Sequence, residues 1–332
     1  MTILEPALGR SMLRFGLIGC GNTARHHANV INALGHRVGA VSARVSSPNI
    51  DSFAHDYRVA GKFTNWKEML EREKLDALVV ATNWEQTGLM AKEVIQAGVP
   101  VLIEKPLALS SRKIREILSE TQEFQDQVMI GYNRRFYDFV PRLRNIIDSH
   151  PLISVELNCP DSFQDNLKRY GEMLREHILV YKTSHWLDLL MHLLGSIQVV
   201  EMYRRGEGTP AYNGLLQSSA SVPIHFQVNF DAPSQVSLTL YFEGFVCQLH
   251  PMEVLRIYEG MSLLEETRDV PYRRYEPKLK EEQITDFGYK PGFLNQVRHF
   301  VESCVEKKSE QNRGCTLLEA LRVTELCEDI RG

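Results

Sequence analysis

The chain has 332 residues, 43% of them hydrophobic and 24% charged, with a formal net charge of −4. At roughly 100–200 residues per domain this length predicts two domains, and the composition excludes a disordered or fibrous chain. The acidic balance offers no basic field to hold a phosphate backbone, so a nucleic-acid partner is not expected. The six cysteines form no Cys-x-x-Cys pair, which argues against a zinc knuckle or a redox motif and fits a reducing compartment. Residues 1–11 lack the charged start and long apolar centre of a signal peptide. No apolar run approaches the ~20 residues needed to span a bilayer. A cytoplasmic protein without a membrane partner is expected.

In chain order, the apolar run at 13–18 ends at Gly19 and reads as a buried strand. Helical spacing follows at 24–33, then a second apolar run at 37–41. Ser47-Pro48 predicts a helix start with Ser47 as cap and proline in the first turn. Residues 66–72 read as helix, 75–81 as a third strand, 86–97 as a helix stopped by Gly98, and 99–103 as a fourth strand. A helix at 110–123 and a fifth strand at 128–132 complete the alternation. Strands that are apolar throughout and alternate with helices predict a parallel sheet covered on both faces. Residues 12–132 are therefore expected to form a doubly wound α/β Rossmann domain.

The pattern then changes. Helix is expected at 136–149, strand at 152–158 and mostly helix at 177–194. Closely spaced strands, such as 236–242 and 246–249, follow between 199 and 258. The charged run at 278–282 reads as a solvated loop, and closing helices are expected at 293–302 and 317–328. Residues 133–332 thus predict an α+β domain with a broad open mixed or antiparallel sheet.

The segment Gly19-Cys20-Gly21-Asn22-Thr23-Ala24 follows a strand and opens a helix. Its glycines allow a tight turn and let backbone N–H groups approach a pyrophosphate, with the helix dipole adding positive potential. A dinucleotide is the expected cofactor. At the end of the second strand, where an acidic residue would bind the ribose hydroxyls of NAD, the chain reads Val41-Ser42-Ala43-Arg44 with Ser46 and Ser47 nearby. A guanidinium suits the 2′-phosphate of NADP, so NADP is preferred over NAD. The plain alternative is a surface arginine.

Glu104-Lys105-Pro106 closes the fourth strand, at the sheet edge where ligands of open α/β sheets bind. A lysine there can hydrogen-bond a substrate hydroxyl or carbonyl, or simply stand at the surface. At these residues the chain resembles the glucose–fructose oxidoreductase / inositol dehydrogenase / rhizopine-catabolism (Gfo/Idh/MocA) family of NAD(P)-dependent dehydrogenases. The pieces that carry the resemblance are Gly19-Cys-Gly-Asn-Thr-Ala-Arg-His-His27, Asp76-Ala-Leu-Val-Val-Ala-Thr82, Ala97-Gly-Val-Pro-Val-Leu-Ile-Glu-Lys-Pro-Leu107, Gly131-Tyr-Asn-Arg-Arg-Phe136, Ser184-His-Trp-Leu-Asp-Leu-Leu190 and Leu317-Leu-Glu-Ala-Leu-Arg-Val. The resemblance implies a Rossmann domain followed by an open-sheet domain that supports a homodimer or homotetramer. It also implies that Lys105 is the active-site lysine and His185 the acid or base on the substrate hydroxyl. Ala81, Thr82, Asn83 and Glu104 join the glycine turn, Ser42, Arg44 and Lys105 as the expected cofactor contacts. Three positions depart from the family's pattern. Tyr181 stands where many members have aspartate, and Asn83 and Thr87 replace a proline and a histidine.

His185, Asp188 and His192 recur at helical spacing, with Tyr181 one turn earlier on the same face. Histidine titrates near neutrality and can move a proton as hydride leaves the same carbon, while Tyr181 can supply or order a hydroxyl proton. Asp188 orients a neighbour, and His192 reads more simply as core or surface. The spacing lacks a His-Glu-x-x-His pattern, so no metal is expected. Trp84, Trp186 and Tyr132 either line a sugar pocket or fill the core, and Arg134 and Arg135 bind either an anionic substrate group or a backbone or carboxylate group of the chain. The expected activity is hydride transfer between nicotinamide and a carbinol or carbonyl of a sugar, nucleotide-sugar or cyclitol. The alternatives are a non-catalytic or sensor dinucleotide-binding protein, or an oxidoreductase that recycles a tightly bound cofactor.

Overall fold

A computed structural model describes residues 11–205, 208–308 and 314–332. These residues pack into two compact units. The first comprises the described residues up to Phe136 together with Asp286–Glu325, and the second comprises Tyr137–Thr285 and Leu326–Gly332. Division by sequence alone puts 286–325 with the second half, whereas by packing they belong with the first.

In the first unit, β1 (Arg14–Ile18), α1 (Asn22–Ala33), β2 (Arg37–Ser42), α2 (Ile50–Tyr57), β3 (Gly61–Phe63), α3 (Trp66–Arg72), β4 (Ala77–Val80), α4 (Trp84–Gln96), β5 (Val101–Ile103), α5 (Ser111–Glu120) and β6 (Val128–Ile130) alternate along the chain. The six strands form one parallel sheet in the order β3-β2-β1-β4-β5-β6. This is the Rossmann order, with its topological switch between β1 and β4. Ala77, Leu78, Val79 and Val80 are all fully buried, as strands covered on both faces require. β3 is only three residues long, too short to register as an apolar run.

Later in the chain, α9 (Phe293–Phe300) packs against α1. Phe293, Val297 and Phe300 join Ala24, Ala28 and Ile31 in one core cluster. Burying each large apolar side chain there contributes about 1.5–3 kcal/mol. Arg135 lies in the same unit. It is buried and donates to Glu319 Oε1 at 2.8 Å and to the Gly314 carbonyl at 3.3 Å. Glu319 also closes a capping box, accepting from Thr316 N–H at 2.9 Å while Thr316 Oγ1 accepts from Glu319 N–H at 3.2 Å. That box starts α10 (Leu317–Arg331).

The second unit contains α6 (Val140–Ser149), β7 (Leu152–Asn158), α7 (Gln164–Tyr170), α8 (Ser184–Leu194), β8 (Ile197–Arg205), β9 (Ala211–Ser218), β10 (Pro223–Asn229), β11 (Ser237–Phe242), β12 (Phe245–Leu249), β13 (Val254–Leu264) and β14 (Arg274–Ile284). Its eight-stranded sheet runs β14-β13-β12-β11-β7-β10-β9-β8. All neighbours are antiparallel except β7 and β10. The closing turn of α10 ends in this unit, where Arg204 donates to the carbonyls of Ile330 and Asp329 and so satisfies the last helical acceptors.

Two local expectations are corrected. Ser47 does not cap a helix. Its N–H closes a turn onto the Arg44 carbonyl at 2.8 Å, its hydroxyl lies 3.1 Å from Cys20 Sγ, and α2 begins only at Ile50. The charged run 278–282 is not a loop but part of β14, an edge strand. Its charges stay compatible with a strand because the edge is solvated: Arg142 pairs with Glu281, Arg256 with Glu282 and Lys280 with Glu259. Charged edges of this kind also block sheet-to-sheet aggregation.

A register irregularity in β8 falls between Val199 and Glu201, opposite β9. There the Glu201 carbonyl oxygen occupies the space that a Cβ on Gly214 would need. A Gly214→Ala protein is therefore expected to lose about 1–3 kcal/mol through overpacking. Urea unfolding checks this; an unchanged midpoint would contradict the close approach.

Candidate functional site

The chain reverses at Gly19 between β1 and α1. Gly19 has φ +110°, and a Cβ there would collide with the Ala81 carbonyl oxygen, so both backbone and space require glycine. Its N–H donates to the Ser42 carbonyl at 2.8 Å, and the Ala81 N–H donates to the Ile18 carbonyl at 2.8 Å. These contacts gather the C-terminal ends of β1, β2 and β4 around one turn. Gly21 is different. Its φ is −80°, and a Cβ there would meet nothing within 4 Å. The fold does not need glycine at that position, which faces open space.

Gly21 is also the N-cap of α1, and no side chain caps this helix or places an acid in its first turn. The first N–H groups are thus left to a ligand, with the positive end of the helix dipole behind them. Beside them lies a cavity of about 580 Å³. Gly19, Gly21, Ser42, Arg44, Ala81, Thr82 and Asn83, all singled out from the sequence, line it. Asn22 and Thr23 form the first turn of α1, and Ala24 is buried in the core beneath. The lining also includes Asn65, Trp66, Gln86 and Met90, which the sequence reading missed. Trp66 opens α3 directly after the short β3, so no recognisable strand announced that position as a strand end. A donor-rich turn, a bare helix terminus and an unfilled Cβ position fit a dinucleotide diphosphate.

The unusual Asn83 and Thr87 have a joint structural role. Asn83 caps α4, its Oδ1 accepting from the Gln86 N–H at 3.1 Å. Thr87 is buried, donates to the Asn83 carbonyl at 3.0 Å and lies 2.9 Å from Thr82 Oγ1. The two departures therefore form one hydrogen-bonded helix start.

At the end of β5, Glu104 and Lys105 lead into Pro106 through a cis peptide bond. Glu104 lies 2.7 Å from His27 Nε2, and His27 is fully buried in α1. No partner reaches His27 Nδ1 among the described residues. Burial opposes ionisation of Glu104. The His27 hydrogen bond, with help from the charges of Lys290 and Lys105, outweighs it and holds the carboxyl below its ordinary range. The Phe293 ring packs 4.8 Å from the His27 ring and 5.9 Å from that of His26. Tyr132 is buried nearby in sequence, and Arg134 Nη1 donates to Asn133 Oδ1 at 3.2 Å.

In the second unit, His185 and Asp188 lie on α8, Asp188 fully buried, and Trp186 is buried beside His185 with ring centroids 6.4 Å apart. Tyr181 sits in a single π turn, Leu179–Thr183, that precedes α8. Such turns re-aim side chains at functional positions. The Tyr181 hydroxyl donates to Tyr170 at 3.0 Å, and the rings meet edge to face at 5.3 Å. Burial, and then the Tyr170 partner, push the Tyr181 phenol well above its ordinary range. It is a neutral hydroxyl at every physiological pH, able to donate but not to act as a base. Among the described residues no cluster of three or more His, Cys, Asp or Glu could hold a metal ion.

Because the folded-state pKa of Glu104 is depressed, its stabilisation is present above about pH 4.5 and is lost as pH falls through the folded value. A Glu104→Gln protein is expected to be less stable than the natural chain at pH 7, with the gap closing as pH drops below 4.5. Urea midpoints across pH 3–7 read this directly; a gap independent of pH would contradict it.

The profile of the oxidoreductase family with an NAD-binding Rossmann fold matches residues 13–132. An inositol 2-dehydrogenase of Rhizobium meliloti is 26% identical over 194 residues, 55% of this chain and 55% of that protein. The chain thus spans only about half the length of that relative. An inositol 2-dehydrogenase of Corynebacterium glutamicum is 25% identical over 277 residues, covering 79% of this chain and 81% of the relative. Among solved structures, the WlbA dehydrogenase from Bordetella pertussis in complex with NADH and UDP-GlcNAcA superposes with a TM-score of 0.70 at 19% identity, covering 96% of this chain and 95% of that one. Over residues 13–132 the family profile, the strand order and the glycine turn agree, and this part of the chain is similar to the NAD-binding Rossmann fold of that oxidoreductase family.

Proposed function

We propose that the chain is a nicotinamide-dinucleotide-dependent dehydrogenase or reductase that acts on a CH–OH or carbonyl group of a sugar, nucleotide-sugar or cyclitol, with NADP(H) preferred. The observation that carries the reading is the cavity beside the uncapped α1 terminus, where Gly21 leaves room that the fold itself does not use. Gly19, Gly21, Asn22 and Thr23 would hold the diphosphate through backbone amides. Trp66 offers an aromatic wall for the adenine, and Ala81, Thr82 and Asn83 close the far side. The NADP preference rests on Arg44, exposed at the cavity rim, with Ser42 and Ser46 also in the lining. A guanidinium matches a phosphate monoester in geometry and charge. Replacing Arg44 with alanine should weaken NADPH binding at least about 10-fold and leave NADH nearly unchanged, and Gly21→Val should weaken both while keeping the urea midpoint. Fluorescence titration checks each; tighter NADH than NADPH in the natural chain would overturn the preference.

A nicotinamide, when bound, supplies or accepts hydride. Lys105 would hydrogen-bond the reacting oxygen and stabilise charge developing on it. His185 would take or return the hydroxyl proton. Tyr181, which donates its proton to Tyr170, would act as a neutral hydroxyl that accepts or orders a hydrogen bond and not as a base, and Asp188 would orient α8 partners. Tyr132, Arg134 and Trp186 would flank the substrate. The names of the inositol 2-dehydrogenases and of the UDP-GlcNAcA complex support polyhydroxylated substrates. A homo-oligomer is the matching assembly, supported by exposed Ile153, Val200, Tyr203 and Tyr241 on strands of the eight-stranded sheet.

One observation favours a second reading, dinucleotide binding without turnover. Tyr181 replaces an expected carboxylate, and its proton is engaged by Tyr170. A panel of sugars, nucleotide sugars and cyclitols with NADP⁺, followed at 340 nm, separates the two. Turnover that Lys105→Ala reduces by about 100-fold or more while cofactor affinity persists supports hydride transfer. Binding without turnover of any panel member supports the second.

A further inference from the structure

We propose that Lys290 and His26, set around the Phe293 ring, form an anion-binding subsite, and that the substrate of the proposed hydride transfer therefore carries a carboxylate or phosphate group. The inference rests on that reading for the word substrate, but the subsite itself rests on geometry within the first unit.

Lys290 Nζ stands 4.5 Å over the Phe293 ring centroid, and its side chain is solvent-exposed. Among the described residues it forms no ion pair and donates no hydrogen bond. The Glu104 carboxylate attracts it, but the hydrogen bond of that carboxylate goes to His27 at 2.7 Å. His26 is half-buried on the edge of the same ring, 5.9 Å between centroids, and it too has no hydrogen-bond partner among the described residues. Burial, and then the Lys290 charge, lower the His26 pKa, which leaves its ring a neutral hydrogen-bonding group near pH 7. Partial desolvation of the Lys290 ammonium, which still reaches solvent, and the Arg134 charge likewise lower that of Lys290, and Glu104 opposes them. An arriving anion would relieve the repulsion between the cations.

The subsite is built rather than loose. Asn133 Nδ2 donates to the Pro291 carbonyl at 2.8 Å, pinning the residue after Lys290 to the chain that follows β6. Gly292 then caps α9, and Phe293 is buried beneath. None of Lys290, His26 and Phe293 lines the nucleotide cavity. They lie instead with Glu104 and Lys105 at the end of β5, where the reacting oxygen is proposed to bind. Glu104 is one carboxylate facing the charges of Lys290, Lys105 and Arg134, so a uronate or sugar phosphate would supply a counter-charge that a neutral polyol would not.

The test uses the full chain with its lysines reductively methylated with ¹³C-formaldehyde, which keeps their charge and gives each an NMR signal. The Lys290 signal is assigned as the one missing from Lys290→Arg. Acetate and inorganic phosphate are titrated separately as the carboxylate and phosphate probes. The expected result is a saturable shift of the Lys290 signal with at least one probe, weakened about 5-fold or more in His26→Ala. The better probe identifies the anionic group. A Lys290 signal that drifts only linearly, as an exposed lysine such as Lys62 would, overturns the proposal. NADPH affinity of Lys290→Ala is measured in parallel and should match the natural chain; a 10-fold loss would assign Lys290 to the dinucleotide and also overturn it. If the natural chain binds no dinucleotide, the hydride-transfer reading fails on its own, and the lysine signal still decides whether the anion subsite exists.

Discussion

The first unit depends on the reversal at Gly19. That residue must turn in a region of backbone space closed to most side chains, and it must do so against the Ala81 carbonyl. Its N–H is spent on Ser42, which ties β1 to β2, while Ala81 is tied back to Ile18. With these groups satisfied inside the sheet, the next amides along α1 are left facing outward. The binding surface is therefore a by-product of how the sheet closes its own hydrogen bonds. The first turn of α1, which no side chain caps, is left beside the cavity.

The end of β5 works by the opposite logic. A carboxylate is taken out of water, which is unfavourable, and is kept ionised by a buried histidine and surrounding cations. Burial alone would favour the neutral acid, but the His27 hydrogen bond and the neighbouring positive charges together outweigh it. Such an arrangement fixes Glu104 in place and leaves a positive field beside Lys105. The parts come from distant stretches: α1, the end of β5, the residues after β6 and the start of α9. Chain crossing between the two halves of the sequence brings Lys290 and Phe293 to this end of the Rossmann sheet.

Much of the architecture was legible in the sequence because its signals are local. Apolar runs such as Val79-Val80 between glycine turns and helix stops fix strands and their order of appearance, and the Gly19–Ala24 turn carries its own steric reason. The parallel sheet and the open second sheet followed. What stayed hidden depends on contacts far apart in sequence. Ser47 looked like a helix cap, but its hydroxyl is engaged by Cys20, 27 residues earlier. The charges of 278–282 looked like a loop, but they decorate an edge strand whose partners lie on α6 and β13. Trp66 joined the cavity behind a three-residue strand that no periodicity could reveal. Tyr181 was flagged as a departure, but its partner Tyr170 was not, because a bond between two hydroxyls on separate helical turns leaves no spacing pattern.

The central claim is that the amides from Cys20 to Thr23 grip a dinucleotide diphosphate. Backbone amide resonances of those residues, followed by NMR during titration with NADPH and NADH, test it most directly. The account predicts saturable shifts centred on Cys20, Gly21, Asn22 and Thr23 at one dinucleotide per chain. Resonances that stay in place while either dinucleotide is added in excess would contradict it.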